Sequence, residues 1–159
     1  MKRLIALLLF PLLLVSEAAA QSTIFLVRHA EKAPSSDQDP DLSAAGRARA
    51  ESLATVLKDC GISTIFVTEF KRTQQTAAPL AKMLHLDPAI VPAKDSAALV
   101  ARLRGLTGNT LIVGHGNTIP DLIKSLGVAG QITIEENDYD NLFVLVLEAK
   151  PFLIRLHYR

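Results

Sequence analysis

Three short runs of apolar and β-branched residues, each followed by a helix-forming stretch, constrain this chain most. Thr23 to Val27 (TIFLV), Ser63 to Thr68 (STIFVT) and Thr110 to Val113 (TLIV) have the composition of strands covered on both faces. After the first, Pro34, Ser35, Ser36, Asp37, Asp39 and Pro40 mark a loop. Ser43 then caps a helix running to about Lys58, with Ala44, Ala48, Leu53, Val56 and Leu57 as its expected apolar stripe and Gly61 as its stop. A second helix is expected over about Lys71 to Leu84, and a third over Asp95 to Arg104. Gly114-His115-Gly116 reads as a tight turn, after which Asn117 or Thr118 caps a further helix with Pro120 in its first turn. Leu142 to Leu147 and Phe152 to His157 read as two late strands whose apolar edge is open to pairing. Strand–helix alternation of this kind predicts an α/β fold with a mainly parallel central sheet. With no repeat, low-complexity tract or linker, it predicts one domain over residues 21–159.

Residues 1–20 stand apart from that pattern. Lys2 and Arg3 precede an apolar run from Leu4 to Val15, and small residues ending in Ala18-Ala19-Ala20 precede Gln21. This is the three-part pattern of a cleavable signal peptide, cut after Ala20. The apolar run falls short of the roughly 20 residues that span a bilayer as a helix. The expectation is therefore export to the periplasm or medium, with no membrane attachment of the mature form. The formal net charge of the whole chain is +1, and the leader holds Lys2 and Arg3 against Glu17, so the mature portion is neutral. Neutrality gives no general reason to bind nucleic acid or an anionic surface. Cys60 is the single cysteine, expected at least half-buried at a helix end; no internal disulfide can form, and the core alone must hold the domain.

Ligands of open α/β sheets sit beyond the carboxyl ends of the strands. Arg28-His29 follows the first strand, Lys71-Arg72 lies in the turn and helix start after the second, and Gly114-His115 follows the third. Two histidines and several cations thus converge on one sheet edge. Lysine and arginine at a helix start oppose the helix dipole, which favours anions there, so a bound anion accounts for them better than helix propensity does. The glycines flanking His115 allow close approach of backbone to a ligand. The histidines lack the H-E-x-x-H spacing, no cysteine cluster exists, and neighbouring arginines would repel a divalent cation, so no metal is expected. Neither G-x-x-x-x-G-K-[ST] nor G-x-G-x-x-G occurs.

Four segments in order carry a family resemblance. Leu26-Val27-Arg28-His29-Ala30-Glu31-Lys32 resembles the R-H-G/A signature of the histidine phosphatase superfamily, the phosphoglycerate mutase-like fold. Asp41-Leu42-Ser43-Ala44-Ala45-Gly46-Arg47 is similar to that family's helix start. Phe70-Lys71-Arg72-Thr73-Gln74-Gln75-Thr76-Ala77 is similar to its R-x-x-Q-T-A segment, and Val113-Gly114-His115-Gly116-Asn117-Thr118 to its second-histidine motif. The resemblance implies a three-layer α/β sandwich and a phosphate pocket of Arg28, His29, Arg72 and His115. His29 would be the nucleophile that forms a phosphohistidine, with no cofactor and a small phosphorylated substrate. A near-neutral imidazole suits both attack and departure. Arginine forks bind phosphoryl oxygens, His115 adds a donor, and the helix beginning near Asn117 supplies N–H groups.

The departures matter as well. Many members place an acid directly after the second histidine to protonate the leaving oxygen, and here that position is Gly116. Glu31, Glu69, Asp95, Asp121 and Glu135 remain as donors, with Asp95 ranked first because it lies between Arg72 and His115. Pro34-Ser35-Ser36 stands where the mutase subgroup carries asparagine, which argues against mutase activity. The expected activity is hydrolysis of phosphomonoesters by a metal-independent, exported enzyme. The alternative is a weak or inactive phosphate-binding module of the same fold. Substrate identity and oligomeric state are not encoded in any feature of the chain, and the loops around Ala33–Pro40 and Pro88–Asp95 carry no aromatic platform in sequence.

Overall fold

The computed structural model describes residues 22–159, so the leader reading lies outside the described residues. Ten elements follow one another: β1 (Ser22–Arg28), α1 (Ala44–Leu57), β2 (Ile62–Val67), α2 (Lys71–Leu84), β3 (Ala89–Ile90), α3 (Ser96–Leu103), β4 (Asn109–Gly114), α4 (Thr118–Ser125), β5 (Asn141–Leu147) and β6 (Phe152–His157). The strands form one sheet in the order β3-β2-β4-β1-β5-β6. β3, β2, β4 and β1 run parallel, whereas β5 lies antiparallel to both β1 and β6. The sheet is thus mostly parallel, as the alternation of apolar runs and helices predicts, with an antiparallel flank built by the two late strands.

Helices cover both faces. Phe25, Val27, Ile65, Val67, Leu111 and Val113 pack with Leu53, Ala54 and Leu57 of α1 and Ala77, Leu80 and Ala81 of α2. The alternate residues Ile24, Leu26, Phe66 and Ile112 pack on the opposite face with Leu103 of α3 and Ile119, Leu122 and Ile123 of α4. Consecutive strand residues point to opposite faces, so continuously apolar strands are what a three-layer sandwich requires. No helix among the described residues is long and apolar enough to cross a membrane.

Ser43 caps α1 by accepting from the Gly46 amide. The buried stripe of α1 is Gly46, Ala50, Leu53, Ala54 and Leu57: Leu53 and Leu57 are buried as expected, whereas Ala44 and Ala48 are exposed and Val56 is 47 % exposed. A neighbour decides this phase. A Cβ at Gly46 would overlap the Glu31 carbonyl oxygen, so only glycine lets the helix approach the segment after β1. Cys60 is free and half-buried just beyond α1, its thiol bonded to the Val56 carbonyl. The two-residue β3 was not expected from sequence, and β6 closes the antiparallel edge with Phe152, Ile154 and Leu156 about half exposed.

Candidate functional site

Parallel register puts the carboxyl ends of three strands side by side. Arg28 is paired with Gly114, and the His29 amide continues the ladder by donating to the Gly114 carbonyl at 2.9 Å. β2 ends one strand further, so Thr68 and the start of α2 flank the same edge. Arg28, His29, Arg72, His115 and Asn117 all line one open cleft of about 650 Å³, together with Phe70, Lys94, Gly116, Ile134 and Glu136. The four residues that the resemblance implies as the phosphate pocket therefore meet, with Asn117 beside them, although they come from three separate segments.

The two histidines are buried, 4 % and 8 % exposed, with ring centroids 5.4 Å apart. His29 Nδ1 lies 2.8 Å from the Ala30 carbonyl oxygen. A carbonyl can only accept, so Nδ1 carries the proton and the neutral ring keeps its lone pair on Nε2. Burial holds the ring neutral: it pushes the pKa of His29 down to about 3, with further repulsion from His115, Arg28 and Arg72 opposing the Ala30 bond. The pKa of His115 is likewise lowered to about 4, first by burial and then by Arg72.

Helix α2 fixes both rings through two threonines on its buried face. Thr76 Oγ1 accepts from the Ala30 amide at 2.9 Å and donates to the Arg72 carbonyl at 2.7 Å, which anchors the peptide holding His29. Thr73 Oγ1 donates to the Phe70 carbonyl at 2.8 Å and lies 3.0 Å from Thr68 Oγ1, which lies 3.1 Å from His115 Nε2. With the Thr73 proton committed to a carbonyl, Thr68 donates to Thr73 and accepts from His115 Nε2–H.

Each arginine is held by an aromatic ring and a polar anchor. The Arg28 guanidinium lies 4.3 Å from the Tyr139 ring centroid, and its Nη1 donates to the carbonyls of Glu135 at 2.9 Å and Glu136 at 2.7 Å. The Arg72 guanidinium lies 4.1 Å from the Phe70 centroid, with Nη1 3.6 Å from Asp39 Oδ1. Stacking of this kind restricts a planar cation and leaves its edge available. Nε of both arginines is buried without a hydrogen-bond partner. An unpaired buried donor costs roughly 1–3 kcal/mol, more when charged, so two such cationic donors in one cleft mark a place for an anion. Part of the dipole conflict at the start of α2 is met internally, because the Asp39 carboxylate accepts from the Lys71 amide.

The acids expected as proton donors go elsewhere. Asp95, ranked first, caps α3 by accepting from the Ala98 amide at 3.0 Å, and it lines a neighbouring apolar cavity rather than the histidine cleft. Glu31 forms an ion pair with Arg49 at 2.6 Å, Glu69 accepts from the Ala93 amide at 2.8 Å, and Asp121 lies in the first turn of α4. Glu135 reaches Arg28 through its backbone carbonyl. Phe70, Tyr139, Asp39 and Glu136 were not singled out from sequence. Phe70, next to Lys71-Arg72, had a signal in its position, whereas the others sit in loops without periodicity.

Comparison with known proteins agrees with this geometry. The family model described as histidine phosphatase superfamily (branch 1) matches residues 24–95. The chain is 32 % identical over 117 residues to an 8-oxo-(d)GTP phosphatase of Mycolicibacterium smegmatis; the aligned stretch covers 64 % of this chain and 36 % of that protein, so the chain spans about a third of its curated relative. The protein histidine phosphatase SixA, solved as a complex with tungstate, superposes with a TM-score of 0.73 at 18 % identity, covering 85 % of this chain and 96 % of that one. The alpha-ribazole phosphatase of Shigella flexneri superposes with a TM-score of 0.70 at 17 % identity, covering 85 % and 96 %. At those identities the likeness to the solved structures is one of fold. The family model, the fold and the motif order agree in the same likeness, to the histidine phosphatase superfamily.

Proposed function

We propose that this protein is an exported, metal-independent phosphatase that hydrolyses phosphomonoesters through a phosphohistidine on His29. The observation that carries this reading is the His29 tautomer: Nδ1–H bonded to the Ala30 carbonyl leaves the Nε2 lone pair in a cleft flanked by two arginines with unpaired buried Nε donors. Nε2 attacks phosphorus, the ester P–O bond breaks, and the Arg28 and Arg72 donors stabilise the charge on the equatorial oxygens. Water then attacks the phosphohistidine, the P–N bond breaks, and the ring returns to its neutral state. A ring kept neutral by burial is ready to attack without first losing a proton. Asn117 at the start of α4 lines the cleft as a further phosphate contact, while His115, whose Nε2–H is held by Thr68, packs edge-on against the His29 ring.

The substrate is a small phosphate ester met outside the cytoplasm, such as a sugar phosphate or a cell-envelope phosphate. The proteins sharing this fold are named for unlike substrates, among them a phosphorylated protein histidine and alpha-ribazole phosphate, so the fold leaves the ester open. Export rests on the composition of residues 1–20, and N-terminal sequencing of protein recovered from the periplasm or medium should begin at Gln21.

The deciding experiment supplies a panel of phosphomonoesters in the presence of a chelator and quenches the reaction for analysis of protein-bound phosphate. Phosphate release with an acid-labile, base-stable label on His29, both lost in His29→Ala, is the expected result. Absence of release across the panel would refute the enzyme reading, and phosphate binding without release would return the site to a binding module. Release that survives His29→Ala would refute the mechanism.

A further inference from the structure

We propose that Glu136 is the general acid and base of the cleft, a role that extends its substrates to esters of poorly leaving alcohols. The proposal rests on the phosphatase reading above. Glu136 is the one carboxylate among the residues lining the cleft. Its carboxylate forms no ion pair or hydrogen bond among the described residues, whereas Asp39, Glu31, Glu69 and Asp95 are each committed to a partner. An uncommitted acid on the wall of the cleft is free to shuttle a proton.

The loop that carries it is not a loose excursion. Arg28 Nη1 bonds the carbonyls of Glu135 and Glu136, so the guanidinium proposed to hold the phosphoryl group also holds the peptide of Glu136. The Asp138 amide donates to the Glu135 carbonyl at 3.0 Å, and Asp138 Oδ2 accepts from the Glu135 amide at 3.2 Å, closing a turn. Tyr139, from the same loop, lies against the Arg28 guanidinium. Gly116 lies beside Arg28, and a Cβ there would stand 3.7 Å from Arg28 Nε. With no side chain at Gly116, that wall is bare and the carboxylate must come from the 133–140 loop.

In the first step His29 Nε2 forms a bond to phosphorus while the P–O bond to the alcohol breaks, and the leaving oxygen takes the proton of the Glu136 carboxylic acid. In the second step a water oxygen bonds to phosphorus as the P–N bond breaks. The water proton passes to the Glu136 carboxylate, which restores the acid. Phenols with stable anions depart with little help, and aliphatic alcohols need the proton, so the contribution of Glu136 grows with the basicity of the leaving oxygen.

The test compares wild type, Glu136→Gln and His29→Ala on an activated aryl phosphate, an unactivated phenyl phosphate and an alkyl phosphate. Glu136→Gln should lose about 100-fold in kcat/KM on the alkyl ester and only a few-fold on the activated aryl ester. A plot of log(kcat/KM) against leaving-group pKa should therefore steepen. Glu136→Asp should recover part of the alkyl activity, and melting temperatures should match, because Glu136 is exposed. Equal loss on all three esters, or none, would overturn the role of Glu136 while leaving the His29 reaction standing. Failure of wild type to hydrolyse any ester, or activity that survives His29→Ala, overturns the parent reading and this one with it.

Discussion

Replacing His29 and His115 together by glutamine should flatten the dependence of stability on pH between 7 and 5. In the unfolded chain each histidine has its ordinary value of 6.5, whereas in the folded protein burial lowers His29 to about 3 and His115 to about 4. As the pH falls through 6.5 the unfolded chain takes up two protons that the folded site refuses. The unfolded state binds more protons, so stability is fully present above 6.5 and is lost on acidification. At about 1.4 kcal/mol per pH unit, the interval from 6.5 to 5 costs about 2 kcal/mol for each ring, or about 4 kcal/mol for the pair. That is a large share of the roughly 5–15 kcal/mol that holds a domain folded. Burial raises the Glu31 carboxyl, but the hydrogen bonds and charge of Arg49, with its backbone bond and the charge of Arg28, together hold it below its ordinary 4.5, beneath this window. Urea unfolding at pH 7, 6 and 5 measures the effect. Wild type should lose about 4 kcal/mol more than the double variant between the end points. Equal losses would refute the inference that the two rings are kept neutral by burial.

Three further outcomes follow from the packing. Thr76→Val keeps the side-chain volume but leaves the buried Ala30 amide without its acceptor, and should cost about 2 kcal/mol, read by calorimetry as a fall of several degrees; an unchanged Tm would contradict it. Gly46→Ala gains up to about 1 kcal/mol in helix propensity but drives a Cβ into the Glu31 backbone, where overpacking costs roughly 1–3 kcal/mol. A backbone atom cannot swing aside, so net destabilisation is expected in denaturant melts, and stabilisation would contradict the close approach. Arg72→Ala should lower kcat/KM for phosphate release by about 10²–10³, with binding and rate falling together; unchanged kinetics would remove Arg72 from the pocket.

Much of this was legible in the chain because the strands that matter are buried on both faces. Apolar runs such as Thr23 to Val27 have one physical explanation, and the residue after such a run must emerge at a sheet edge, which is how Arg28-His29 and His115 could be placed together. The phase of α1 was less readable because alanine is small enough to be buried or exposed. Ala44 and Ala48 face solvent while Ala50 and Ala54 are buried, and the decision lies with the Glu31 carbonyl, which no periodicity encodes. Asp95 had two roles open to it, and it serves as the cap of α3. Tyr139 and Glu136 were hidden for a different reason. Their positions depend on Arg28 gathering a distant loop through carbonyl bonds and stacking, and nothing in the residues from 133 to 140 announces that partner.

The strand order has a consequence for how the chain reaches this state. β1 comes first in the described chain yet lies inside the sheet, between β4 and β5. Its tie to Asn109, made through Thr23, already spans 86 positions, and its partners in β5 lie later still. Closing contacts of that separation is slow, because loop entropy is lost before pairing returns it. Until Asn141–Leu147 arrive, one side of β1 stays an open apolar edge, prone to pair with another chain. A chain halted before β5 should therefore aggregate rather than fold, and holdase chaperones should find their principal target in Ser22–Arg28.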